Sequence, residues 1–339
     1  KARRVFIVPD GTLSLVPFAA LPLGRQSYLL EAGPVIHYFS SERDLLRSSD
    51  ARSTQGGLLA IGGPAFGAQT RNRAGANLDT AGSTVQSRAA RVGASCGGLQ
   101  NVTFQPLQGT FQEVRELSTA WNKRNASGDE TGAASVLTGR AASETTFKRE
   151  AHRYRVLHLA THGFFLDEAC TTTGSGTRGV GGLALASPST ERPPENPLLL
   201  SGLAFAGANR RLSAPIDQDD GILTAEEVAS LDLQGVEWAV LSACDTGLGQ
   251  IKAGEGVFGL RRAFQIAGAR TVIMSLWSVD DQATRLWMRA LYERRLGNRM
   301  STADAVRAGS LTVLRDRRAS GRSTHPFYWA AFVAAGDWR

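Results

Sequence analysis

Two residues in this sequence pair a reactive side chain with a suggestive position: Cys244, in VEWAVLSACDTG, and His162, in VLHLATHGFF. Each closes an apolar, strand-like run and is followed by glycine or polar residues. Open α/β sheets gather ligands and catalytic groups at the carboxyl ends of their strands, which is where both side chains would stand. A thiol is strongly nucleophilic once a neighbouring imidazole takes its proton, and the resulting imidazolium can protonate a leaving amine. Gly163 puts no side chain beside the histidine, so its backbone N–H and that of Cys244 are candidates for holding an oxyanion. A structural reading competes: free cysteines are among the most buried residue types, and a strand-end histidine can simply be a satisfied core residue. Spacing alone leaves both readings open.

The elements that must position these residues follow from periodicity and punctuation. The opening reads as a strand over Arg4–Val8, a turn at Pro9–Gly11 and a second short strand near Leu13–Val16. PVIHYF leads into a helix-like SSERDLLR with Ser40 or Ser41 as N-cap, and GLLAIGGP (57–64) reads as a buried strand. A helix is expected over Thr110–Trp121, with Thr110 capping and Glu113 at the third helical position. From residue 135 the alternation becomes regular: the strand SVLTG, a helix capped by Ser143, then YRVLHLATHGFF as one strong strand. Thr224 and Glu227 form a capping box before a short helix. The strand VEWAVLSAC, the helix EGVFGLRRAFQIAG and the strand ARTVIMSLWSV follow. Two further helices, from DQATRLWMRALYERRLG and STADAVRAGSLTVLRD, precede a last strand in FYWAAFVAAG. This order predicts a mainly parallel sheet covered by helices on both faces. A stretch rich in Gly, Ala, Ser, Thr, Asn and Arg near 65–98 and a Gly/Ser/Pro-rich one near 170–221 read as irregular insertions.

Composition narrows the class. The chain has 339 residues, 42% of them hydrophobic and 20% charged, which is globular, and no apolar run is long enough to span a membrane. Three well-separated cysteines, Cys96, Cys170 and Cys244, argue against a disulfide framework and for a reducing, cytoplasmic compartment. No CxxC pair offers a structural metal site, and the chemistry above needs no cofactor. The net charge is +7, with basic clusters at 1–4, Arg261-Arg262 and 315–322, but no nucleic-acid motif accompanies them. The chain begins at Lys1 without a signal pattern, so it is expected to be part of something longer.

Taken together, IVPDGTLSLVPFAALP, LHLATHGFF, LLLSGLAFAGAN, ILTAEEVASLDL, VLSACDTGLG and GEGVFGLRRAFQIAGARTVIMSLWSVDDQAT resemble the CHAT domain. That family belongs to the peptidase clan of caspases, separase and gingipains. The resemblance runs in order from near residue 4 to the end. It implies one caspase-like three-layer α/β/α domain over residues 1–339, forming the C-terminal part of a longer protein, with His162 and Cys244 as a cysteine endopeptidase dyad. It further implies a specific protein substrate, an activating sensor module such as tetratricopeptide repeats, and a role in bacterial defence or regulated cell death. In that clan the loop after the strand following the nucleophile shapes the pocket for the residue before the cut. Here that loop is Trp277–Asp281, so Asp280 and Asp281 are candidates for receiving a guanidinium. Capping of the helix beginning near Gln282 competes for at least one of them.

Two other functions remain to be weighed: a non-proteolytic interaction module on the same fold, and a nucleotide-binding α/β domain. The second rests on GEGVFG (254–259), which matches GxGxxG, but ten residues separate Ala243 from Gly254. A phosphate turn should follow its strand almost directly. His158 and His162 lie four apart on a strand, so helical metal-ligand logic does not apply, and His158 reads as a core residue.

Overall fold

In the computed structural model, residues 2–24, 27–46, 56–68, 102–126, 132–165, 197–215, 218–242, 253–277, 280–297 and 299–339 are described. Strands run β1 Arg4–Ile7, β2 Val35–Tyr38, β3 Leu58–Pro64, β4 Ala134–Gly139, β5 Val156–Ala160, β6 Gly163–Phe165, β7 Ser201–Ala204, β8 Ile222–Thr224, β9 Trp238–Leu241, β10 Thr271–Ser275 and β11 Phe332–Gly336. Helices are α1 Leu29–Ala32, α2 Gln108–Asn125, α3 Glu144–Glu150, α4 Ala225–Ala229, α5 Ala253–Ala267, α6 Asp281–Tyr292 and α7 Thr302–Ala319. Eight strands form one sheet in the order β1-β2-β11-β10-β9-β5-β3-β4, and β6-β7-β8 form a small antiparallel sheet beside it. Every neighbouring pair in the large sheet is parallel except β10 with β11.

Strand parity builds the three layers. Successive side chains leave a strand on opposite faces. Leu59, Ile61, Leu157, Leu159, Ala239, Leu241, Val272 and Met274 therefore meet Phe147 of α3, Val228 of α4 and Leu260 and Phe264 of α5 on one face. Leu58, Ala60, Val156, Ala160, Trp238, Val240 and Ile273 meet Val114, Leu117 and Trp121 of α2, Trp287 and Met288 of α6 and Val313 of α7 on the other. Four tryptophans are fully buried on this second face, and each indole N–H finds an acceptor. Trp121 donates to the Gly132 carbonyl, Trp238 to Thr302 Oγ1, Trp287 to Ser310 Oγ and Trp329 to the Thr324 carbonyl. An indole buried without such a partner would cost about 1–3 kcal/mol.

Ser143 and the Thr224–Glu227 capping box start α3 and α4 as the sequence implies. Several expectations need correction. The segment near Leu13–Val16 is not a strand: Gly11–Leu15 is a 3-10 turn, started by the Asp10 side chain accepting from the Gly11 N–H. After β2 the capping is done by Asp44, whose Oδ2 accepts from the N–H groups of Ser40 and Ser41, and not by either serine. Thr110 lies inside α2, where its Oγ1 donates to the Leu107 carbonyl and accepts from the Gly63 N–H. Most consequentially, YRVLHLATHGFF is not one strand: β5 stops at Ala160, and the chain crosses to the small sheet as β6. Of the expected insertions, residues 69–101 and 166–196 lie outside the described residues. Among the described residues, no helix is long and apolar enough to cross a membrane.

Candidate active site

The break between β5 and β6 is what displays His162. Ala160 is the last β5 residue paired with β3, and Gly163 already pairs with Leu203 of β7. His162 thus occupies the corner between the two sheets, beyond the carboxyl end of a central strand. The residue is 5% exposed, and its ring is walled by Phe66 and Phe104, with ring centroids 5.1 and 5.6 Å away.

The ring's orientation is fixed by a bond that no sequence motif announces. His162 Nε2 lies 2.7 Å from the Gln105 carbonyl oxygen. A carbonyl only accepts, so Nε2 carries the proton, and in the neutral ring Nδ1 bears the lone pair of a base. Gln105 belongs to a strap, residues 102–107, that is pinned in turn. The Phe104 N–H donates to Asn209 Oδ1 at 2.8 Å, and Asn209 Nδ2 donates back to the Phe104 carbonyl at 2.9 Å. Arg211 Nη2 donates to the Val102 carbonyl at 2.7 Å. Phe66, Phe104 and Phe164 share a small apolar cluster with Ala204, Ala208 and Ile222, so the strap is also held by burial.

The Ala204 N–H donates to the His162 carbonyl at 2.9 Å. Hydrogen-bonded and non-hydrogen-bonded positions alternate along an antiparallel ladder. Gly163, one residue on and opposite Leu203, therefore directs its N–H away from β7.

On the neighbouring strand the chain heads for the cysteine. β5 and β9 are paired in parallel with Leu159 opposite Leu241, and the Ser242 N–H donates to the Leu159 carbonyl at 3.0 Å. Cys244 and Asp245 lie outside the described residues.

His158 is a buried structural residue, as its place on the strand implies. It is 0% exposed, donates from Nε2 to Glu113 at 2.9 Å, and accepts at Nδ1 from the Tyr292 hydroxyl at 3.1 Å. Burial holds the Tyr292 hydroxyl well above its ordinary pKa, so it stays a donor. His37 is likewise buried, with Nε2 donating to the Gly336 carbonyl, and burial pushes its pKa down to about 4.

Asp280 caps α6, accepting from the Ala283 N–H at 3.0 Å, and the helix begins at Asp281, not at Gln282. Asp281 packs against Gly109, the second residue of α2, where its carboxylate leaves no room for a Cβ. That helix has no side-chain N-cap, and a carboxylate beside its first turn suits the helix dipole. Both aspartates are exposed. GEGVFG (254–259) falls inside α5 and does not form a turn ahead of it, which removes the geometry a phosphate loop requires. Among the described residues no group of three or more His, Cys, Asp or Glu side chains is arranged to hold a metal ion.

The family model described as the CHAT domain matches residues 1–337. Tetratricopeptide repeat protein 28 of Homo sapiens is 33% identical over 116 residues, and its Mus musculus counterpart is 32% identical over the same length. The match covers 34% of this chain and only 4% of either relative's length. Among solved structures, the Arg-specific cysteine proteinase gingipain R superposes with a TM-score of 0.50 at 8% identity, covering 94% of this chain and 57% of that one. The Saccharomyces cerevisiae separase–securin complex gives 0.46 at 11% identity, covering 98% and 15%. The fold is that of caspase-like peptidases.

Proposed function

The chain belongs to the CHAT domain family, and from that premise we propose that it is a cysteine endopeptidase in which Cys244 and His162 act as a dyad. The observation that carries the reading is the state of His162. With Nε2–H donated to the Gln105 carbonyl, the ring's basic nitrogen is Nδ1. Leu159 and Leu241 are direct partners on adjacent parallel strands, and His162 and Cys244 each follow three residues later in sequence.

In this reading His162 Nδ1 takes the Cys244 proton and the thiolate attacks the scissile carbonyl carbon, turning its oxygen into an oxyanion held by the N–H groups of Gly163 and Cys244. Collapse of that adduct breaks the C–N bond, with the proton passing from His162 to the leaving amine. Water, deprotonated by the same imidazole, then cleaves the thioester and restores the thiol. Asp280 and Asp281, at the start of α6, are the residues we assign to recognition of a basic side chain before the cut. A specific protein partner as substrate, a cytoplasmic setting and a role in bacterial defence or regulated cell death complete the proposal. The likeness to tetratricopeptide repeat proteins supports control by such repeats.

Labelling with a peptidyl acyloxymethyl ketone tests the reading directly. We expect modification at Cys244, lost in Cys244→Ala and strongly slowed in His162→Ala. A chain that ignores the warhead, or that reacts equally at Cys96 and Cys170, would be an interaction module on a peptidase fold.

A further inference from the structure

Away from His162, helices α2, α6 and α7 enclose a half-open cavity of about 310 Å³ on the second face of the sheet. Its polar lining is Arg285 and Arg289 from α6, Arg317 and Arg322 from the end of α7 and the residues after it, Glu116 from α2, and Asp316. Four arginines and two acidic residues therefore line one cavity. The carboxylates do not satisfy the arginines. Glu116 is 4.0 Å from Arg285, at the limit of an ion pair, and Asp316 is taken by Arg322. The Arg289 side chain, exposed and one helical turn from Arg285, has no ion-pair or hydrogen-bond partner among the described residues. The Nε atoms of Arg285 and Arg322 are shut off from solvent and equally lack an acceptor among those residues. An unsatisfied buried N–H costs free energy, and although the Nε atoms of Arg4, Arg155 and Arg211 share that state elsewhere, the two here border a cavity large enough to admit an acceptor.

The rest of the site is held in advance. Arg317 is only 8% exposed, donates from Nε to the Ser323 carbonyl, and lies 3.4 Å above the Tyr328 ring. Arg322 Nη1 reaches Gln282 at 3.4 Å on the first turn of α6. A planar fork of N–H donors matches the oxygens of a phosphate, and fixed side chains lose little entropy on binding it. Arg285, Arg289 and Glu116 also border a smaller slot of about 80 Å³. That slot is lined by Leu117, Trp121, Met288, Tyr292 and Leu296, together with Glu113, Arg124 and Glu293.

We propose that this cavity binds a phosphorylated small molecule, with its phosphates on Arg285, Arg289, Arg317 and Arg322 and a compact apolar or aromatic part in the adjoining slot. The site shares no residue with the candidate active site and stands or falls independently of it.

Calorimetric titration of the full chain with inorganic phosphate, pyrophosphate and ADP, at constant ionic strength, is the test. Pyrophosphate should bind and raise the melting temperature. Arg289→Ala should weaken that binding by about tenfold or more while leaving the melting temperature of the unliganded chain unchanged, because its exposed side chain bonds to no other described residue. ADP binding about tenfold tighter than pyrophosphate would place its nucleoside in the slot; equal affinity would mean that phosphate alone is recognised. No binding of any of the three at millimolar concentration beyond a matched chloride control overturns the proposal. So does pyrophosphate binding that survives the double substitution Arg285→Ala and Arg289→Ala.

Discussion

Asn209 has no place in the proposed dyad, yet its removal should be felt at His162. Its amide makes both hydrogen bonds to the backbone of Phe104, and the next residue, Gln105, supplies the carbonyl that fixes His162. Substitution by alanine removes a donor and an acceptor together. At about 1 kcal/mol net for each bond, the strap loses roughly 2 kcal/mol of anchoring. If that loss is expressed as a smaller fraction of chains holding Nε2–H in place, kcat falls by about 30-fold. The fold itself should persist, because Phe104 stays buried against Phe66 and Phe164 and Arg211 still holds the Val102 carbonyl. The assay is single-turnover acylation of Cys244 by an activated ester across pH, with thermal melts alongside. A loss of positioning lowers the plateau rate and alters the limb of the pH profile that reports the histidine. Asn209→Asp, which keeps the acceptor for the Phe104 N–H and loses the donor, should fall between wild type and alanine. If Asn209→Ala kept the wild-type rate and pH profile, the strap would not be what orients His162.

Asp280→Asn retains an excellent N-cap, so the melting temperature should hold, whereas loss of the charge should lower kcat/KM for cleavage after arginine by about tenfold. Unchanged kcat/KM would leave Asp280 with capping alone. Glu144, 1% exposed and bound by Lys148 and the Gly221 N–H, is pushed up to about 8 by burial against an ordinary 4.5. The folded state therefore holds a proton that the unfolded chain releases. This contribution to stability is complete below about pH 4.5 and is lost as pH rises to about 8. In Glu144→Gln the fall in melting temperature across that window should flatten, and an unaltered slope would contradict the assignment. Gly309→Ala would bring a Cβ within 2.9 Å of the Trp287 ring, which is stacked on Phe332. A cost of about 1–3 kcal/mol, read as a lower urea midpoint, is expected.

Much was legible before any coordinates because it depends on local periodicity and punctuation. The alternation of β3, β5, β9 and β10 with helices, the Ser143 cap and the Thr224–Glu227 box are decided within a few residues, so the layers could be read directly. His158 was readable as a core residue because it lies in the middle of an apolar strand. Strand-end logic nominated His162 in THG and Cys244 in SAC, of which the structure describes His162.

What the chain alone could not say is where a continuous apolar run changes sheets. LHLATHGFF has one unbroken pattern, and only pairing with β3 on one side and β7 on the other ends β5 at Ala160 and turns His162 into a corner. Nor could it reveal the bond from Gln105, because backbone carbonyls carry no signature and the two residues are 57 apart in sequence. The same holds for Asn209, for the partnership of Asp281 with α2 and for the arginine-lined cavity, whose members are drawn from separate helices. Sequence chose the reactive side chains, since reactivity belongs to residue type. Tertiary structure decided their orientation, since orientation is set by whichever distant groups folding brings within hydrogen-bond reach.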